Sequence, residues 1–294
     1  MSEDFVLNKK RNFNELLNGT GRFVKIELMS FLKTLAPLYL PILFLTMMYK
    51  YSFAIQRAGS EPGMSIYVIL ELLLVLANSL FIMAIYFGFV KEIISGNNPA
   101  TAIVWKTSMP QIGRIIGLVL LFFLFYIVIS IPFTALAYIN RKAFVIIPSL
   151  VLIVLLLFSI RFSLVLPVMF YEESGLFSSL IRSYKLTRGY WWLTFGGIFI
   201  IFIATFVLSL VALIITDVAG NAAIKAVQYD FTVFKIFHAV RISIVLIVGI
   251  ASQFFLNTFL TLQYFNLVER KEAPDLMARI EDICGTDGQE ELSQ

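Results

Sequence analysis

Residues 189–216 read GYWWLTFGGIFIIFIATFVLSLVALIIT and contain no charged side chain. About 20 consecutive, mostly apolar residues suffice for a helix to cross the hydrocarbon core of a bilayer. A barrel strand is about ten residues long and alternates in polarity. This stretch does neither, and an open strand in lipid leaves backbone groups unpaired at several kcal/mol each. The segment therefore reads as a membrane-spanning helix. The rest of the chain repeats the pattern on both sides of it.

Outward from this helix, residues 242–268 are uncharged and residues 143–171 hold a single charge, Arg161. Residues 115–140 are uncharged, residues 65–90 are interrupted only by Glu71, and a shorter span at about 34–50 carries Pro37 and Pro41. These are six candidate spans. The fold class expected is an all-α polytopic membrane protein, six transmembrane helices with amphipathic interfacial helices on the cytoplasmic side. Residues 1–33 form a cytoplasmic N-terminal segment with an amphipathic helix, 34–268 the six-helix domain, and 269–294 an acidic cytoplasmic tail. The first span begins too far in for a cleaved signal peptide, so the helix is expected to be retained.

The composition agrees. Of 294 residues 59% are hydrophobic and only 14% charged, and the mean hydropathy is +0.87. Soluble domains carry about 25% charge, so a soluble enzyme, a disordered chain and a secreted disulfide scaffold are excluded. One cysteine, Cys284, can close no bridge within the chain.

Six crossings put both termini on one side, and Lys and Arg select it. Fifteen of the 23 basic residues fall in the segments on the side of the termini and seven in the opposite loops, with Arg161 inside a span. Arg141 and Lys142, in the tight turn between spans three and four, run against this tally. The majority places both termini in the cytoplasm.

Three segments on that side are amphipathic, basic and joined directly to a span: 13–32, 98–114 and 175–193. The last two align without a gap, Ser95-Gly96 on Ser174-Gly175 and Trp105-Lys106 on Tyr184-Lys185. This suggests an internal duplication of a helix, elbow and helix unit. Lying in the interface, such segments would present Lys106, Arg114, Arg182, Lys185 and Arg188 to anionic lipid headgroups, with Trp191 and Trp192 in the aromatic belt. The alternative is ordinary loops packed on the bundle. The opposite-side loop 217–239 is expected to hold at most a short surface helix or hairpin.

Polar residues inside spans are costly and are functional candidates by default. Glu71 and Asn78 share a face of span two, Arg161 sits past the middle of span four, and Gln253, Asn257 and Thr261 form a stripe along span six. Together they would line a polar path. Against this, Gln/Asn/Thr stripes also serve as interhelical glue worth about 0.6 kcal/mol per bond, and Arg161 can reach the headgroups.

Catalytic chemistry is not expected. His238 stands alone, Cys284 has no partner histidine, and neither a phosphate loop nor HExxH occurs. Glu172 and Glu173 are adjacent, so on a helix they point apart rather than converge. No cofactor, metal or nucleic-acid partner is expected, because the basic residues flank the spans instead of forming a stripe.

The stretch 161–196, RFSLVLPVMFYEESGLFSSLIRSYKLTRGYWWLTFG, resembles a broad bacterial family: the membrane domain accompanying some glycerophosphoryl diester phosphodiesterases, and the related YciC-like membrane proteins. The matching residues are Arg161, Pro167, Glu172, Gly175, Ser179-Leu180, Ser183, Leu186-Thr187-Arg188-Gly189, Trp192 and Phe195-Gly196. The ending YFNLVERKEAPDLMARIEDI is similar to the family's C-terminal segment. The resemblance implies six helices with re-entrant or interfacial elbows and no catalytic residues in the membrane part. The phosphodiesterase activity would belong to a separate soluble domain, not expected here because 26 residues follow the last span. Read physically, Pro167 would kink the end of span four, Gly175 would let the chain turn, and Gly189 would cap a surface helix. Two functions stay open: a non-enzymatic scaffold or lipid-responsive membrane component, and a transporter or lipid-translocating protein using Glu71, Arg161, Gln253 and Asn257.

Overall fold

The structure is a computed structural model and describes residues 6–57, 66–139, 153, 155, 157–226 and 231–272. Among these, all regular structure is helical. The helices are α1 Phe13–Arg57, α2 Ile66–Ile94, α3 Thr101–Ile139, α4 Val165–Tyr171, α5 Leu176–Thr187, α6 Trp191–Ala226 and α7 Phe231–Lys271, with a 3-10 turn at Ile160–Phe162 before α4. Five segments are long and apolar enough to cross a membrane: Phe13–Met48, Leu72–Ile94, Thr101–Ile131, Trp191–Gly220 and Ser243–Lys271. The chain is a multi-pass membrane protein by this measure. Helix α6 exposes large apolar side chains such as Phe199, Phe202, Phe206, Val211 and Ile214, a surface far larger than water tolerates on a monomer.

The expected fourth span differs. Residues 140–152 lie outside the described residues. Beyond them an apolar helix, Leu157–Tyr171, is interrupted by the 3-10 turn and by Leu164 at φ −92°, ψ 6°. Pro167 accounts for the break. It has no N–H to give Ser163, and its ring crowds that carbonyl, so the helix restarts with Pro167 in its first turn.

Two expected elbows are absent. Residues 13–32 and the first span form one helix, α1, as do residues 101–114 and the third span in α3. Only the third amphipathic segment turns, at Gly189, where φ is +87°. In the gap-free alignment Pro110 falls opposite Gly189. Proline is locked near φ −65°, so that chain cannot enter the left-handed conformation and the helix continues. Gly96 and Gly175 also differ: Gly96 has φ +73°, whereas Gly175 is extended and Glu173 takes the positive φ of 52°. The boundary at 33/34 is likewise internal to a helix. Residues 217–226, alanine-rich and favourable to helix, extend α6, and residues 231–239 open α7, so the expected loop is helical at both ends; residues 227–230 lie outside the described residues. Arg241 of α7 pairs with Asp217 of α6 at 2.9 Å.

The chain forms two compact units. The first comprises Met1–Arg22, Leu120–Gly197 and Thr258–Gln294; the second comprises Phe23–Val119 and Ile198–Asn257. In the second, Phe31 of α1 packs against Tyr86 and Phe89 of α2 and Phe254 of α7, at centroid separations of 5.9, 5.4 and 4.8 Å. All four rings are buried. Gly88 sits where an added Cβ would lie 2.0 Å from the Ser108 hydroxyl, so α2 and α3 touch at backbone distance there.

In the first unit, residues 258–267 of α7 are buried throughout. Asn12 caps α1. Its carbonyl accepts from the Leu16 amide at 2.8 Å, and its own amide donates to Glu15 Oε2 at 3.1 Å. The Glu15 carboxylate thus supplies one half of a capping box, reaching back to the N-cap amide.

Candidate functional site

Polar side chains of the first unit meet around the C-terminal third of α7. Asn266, fully buried, accepts from the Arg11 amide at 2.8 Å and from Arg270 Nε at 3.1 Å through one oxygen, and its Nδ2 donates to Gln263. Gln263 in turn donates to Thr194 Oγ1 on α6 at 2.9 Å. Arg270 reaches the Arg11 carbonyl at 2.5 Å. The buried Arg11 guanidinium donates to the carbonyls of Leu7, Lys9 and Val6. Burial pushes the Arg11 pKa down, with Glu15 opposing. The segment before α1 is thereby strapped to the end of the last helix.

A second cluster attaches α5. Arg182 donates to both oxygens of Glu172, at 3.0 and 3.2 Å, and to both oxygens of Glu272. Tyr264 donates to Glu172 Oε1 at 2.9 Å. Lys271 Nζ donates to the carbonyls of Lys185 and Arg188, the latter at 2.8 Å, satisfying the orphan carbonyls at the end of α5. The hydrogen bond from Arg182 holds the Glu272 carboxyl below its ordinary value of 4.5, with burial opposing. Its folded pKa is depressed, so the contribution is present above that ordinary value and lost as pH falls through the folded one. The groups are 30–41% exposed, so the pair is well screened. Acidification below about pH 4 is expected to speed hydrogen exchange across α5. In Glu272→Gln the acid step from this residue is expected to disappear.

Helix α5 docks in an unusual sense. Ser179, Ser183, Leu186 and Thr187 are buried, whereas Phe177, Ile181 and Tyr184 are 71%, 58% and 41% exposed. Residues at i, i+4 and i+7 share a helical face, so the aromatic and aliphatic stripe points outward and the hydroxyl stripe inward. The Ser183 and Thr187 hydroxyls donate to the Arg161 carbonyl at 3.0 and 3.1 Å. That carbonyl belongs to the 3-10 turn, whose altered ladder leaves it free to accept.

Of the sequence candidates, Arg161 therefore sits in this turn, half-buried, with its guanidinium 5.3 Å from the Tyr184 ring centroid. Arg182 is half-buried in the carboxylate cluster, and Lys185 and Arg188 are exposed. Trp191 stacks on Phe195 at 5.4 Å and donates to the Leu157 carbonyl at 3.3 Å; Trp192 is 75% exposed. Lys106 and Arg114 are exposed on α3, Arg114 donating to Gln111 at 3.0 Å.

Of the intramembrane candidates, Glu71, Asn78, Gln253 and Asn257 belong to the second unit, where Gln253 Nε2 donates to Ser79 at 2.8 Å and Asn78 Nδ2 to Thr46 at 3.2 Å. Among the described residues, Asn78 Oδ1, Gln253 Oε1 and Asn257 Nδ2 are buried without a hydrogen-bond partner. Thr261, in the first unit, bonds Tyr171 at 3.0 Å. Glu71 belongs to the backbone of α2, and its side chain lies outside the described residues, as do His238 and Cys284. Among the described residues no group of His, Cys, Asp or Glu could hold a metal ion.

Sequence reasoning missed the Asn266–Arg270–Arg11 strap and the buried Glu92, which accepts from Asn97 at 2.9 Å and from Thr107 at 2.5 Å. The signal for the strap was NLVER after a span: a polar residue one turn before a basic one.

No family model, no curated protein and no solved structure matches the chain.

Proposed function

We propose that the protein is a non-enzymatic, lipid-responsive component of a bacterial inner membrane, with both termini cytoplasmic and α5 lying in the interface. The outward Phe177/Ile181/Tyr184 stripe of α5 carries this reading. A water-facing helix would bury that stripe and expose its serines. Here a helix tethered by Ser/Thr hydroxyls and by Arg182 offers acyl chains its apolar face and headgroups its flanking Lys185 and Arg188. The majority of Lys and Arg on the side of the termini supports the orientation. The likeness of residues 161–196 to the membrane domain of the phosphodiesterase-associated family accords with a role without catalysis.

The test is hydrogen exchange of residues 176–188 in nanodiscs with and without anionic lipid. Slower exchange with anionic lipid is expected; equal exchange in both would refute the lipid response.

A transporter is the second reading. It is favoured by the partnerless atoms of Asn78, Gln253 and Asn257, since a buried polar group without a partner costs about 1–3 kcal/mol and is kept where something polar passes. For this reading, Asn257→Leu is expected to abolish flux in a reconstituted system. For the lipid-responsive reading it leaves the exchange of α5 unchanged.

A further inference from the structure

We propose that the elbow between α5 and α6 holds one phosphate group of an anionic glycerophospholipid, with Arg161 and Arg188 as its cationic ligands. This rests on the interfacial placement of α5 and adds to it a defined site.

Arg161 is held in place by its own backbone. Its carbonyl accepts from Ser183 and Thr187 of α5, and its guanidinium lies over Tyr184 on the outward face of that helix. A guanidinium held over a ring by cation–π attraction still has N–H groups to offer an acceptor beyond the ring edge. Arg188 follows Tyr184 by one turn on the same outward face and immediately precedes Gly189. Among the described residues neither arginine side chain is paired with a carboxylate.

Further basic side chains gather at the start of α6. Arg270 and Lys271 stand over the Tyr190 ring at 5.5 and 5.9 Å, and Lys271 caps the carbonyls of Lys185 and Arg188. Glu172 and Glu272 are both engaged by Arg182. Forked guanidinium donors suit a phosphate oxygen pair. Free phosphate would meet the same charge. The exposed Trp192 just past the elbow and Ile181 one turn before Tyr184 point to a ligand with acyl chains.

The experiment titrates the detergent-solubilised full chain with a short-chain anionic glycerophospholipid, its zwitterionic counterpart and inorganic phosphate, following tryptophan fluorescence and native mass. Saturable binding of the anionic lipid is expected, weakened about tenfold by Arg161→Gln and by Arg188→Gln. Lys10→Gln and Lys33→Gln, at exposed positions, are expected to leave it unchanged. Arg161→Lys, which keeps the charge and loses the fork, is expected to fall between. The site is overturned if the Lys10 or Lys33 variants weaken binding as much as the elbow variants. It is overturned equally if inorganic phosphate binds as tightly as the lipid, or if Arg188→Gln, at an exposed position, has no effect. In each case slower α5 exchange in anionic nanodiscs would still stand, separating failure of the site from failure of the interfacial reading.

Discussion

Replacing Gly197 with alanine is expected to lower the thermal midpoint of the purified protein by several degrees. A Cβ at this position would lie 2.0 and 2.3 Å from two carbons of the Phe259 ring. That ring is fully buried, so it has little freedom to give way. Overpacking of this kind costs about 1–3 kcal/mol, and a chain of this size converts each kcal/mol into about 2–4 °C. Phe259→Leu in the same chain is expected to recover part of the loss, since the two changes share one contact. Gly113→Ala supplies the control. Nothing lies within 4 Å of its added Cβ, and alanine in an exposed helix interior gains about 0.8–1.0 kcal/mol over glycine. Unchanged or raised stability is expected there. Equal losses at Gly113 and Gly197 would contradict the close approach of α6 and α7.

Asn266→Leu is expected to have the second large effect. Leucine is close in size but removes the acceptor shared by the Arg11 amide and Arg270 Nε, and the donor to Gln263. Leaving a buried donor unsatisfied costs about 1–3 kcal/mol, and two donors lose their acceptor together. The segment before α1 should detach first, because Arg11 is its main tie to α7. Trypsin is then expected to cut after the exposed Lys9 and Lys10 faster than in the parent, before any cut elsewhere. A lowered midpoint with unchanged cleavage at these lysines would show that Asn266 stabilises α7 without holding the strap.

Much of the fold was legible because lipid imposes a simple rule. Long uncharged runs such as 189–216 must be helical, and among the described residues five helices are long and apolar enough to cross a membrane. Helix ends were less legible, because they depend on single residues whose effect is relational. Gly189 ends α5 as its type suggests, but Pro110 at the aligned position lets α3 run on, and residues 217–226 extend α6 although they carry Asp217 and Lys225. The break before α4 was visible as Pro167, yet its place three residues earlier followed from which carbonyl the proline crowds.

The candidate site was legible in part. Arg182 with Glu172 was foreseeable from spacing, whereas Glu272 as its second partner was not, since it is 90 residues away in sequence. The orientation of α5 was also hidden. Its sequence shows an apolar and a hydroxyl-bearing side, and an ordinary surface helix would bury the first. The Arg161 carbonyl freed by the 3-10 turn gives the second side its partners.

The interfacial placement of α5 is tested most directly by spin labels at Phe177, Ile181, Ser178 and Lys185, one at a time, in the protein reconstituted into bilayers. Collision rates with dissolved oxygen and with a water-soluble nickel complex report which solvent each position meets. Labels at 177 and 181 are predicted to favour oxygen, and labels at 178 and 185 the aqueous complex. If all four favour the aqueous complex, α5 lies in water and the account of its outward stripe is wrong.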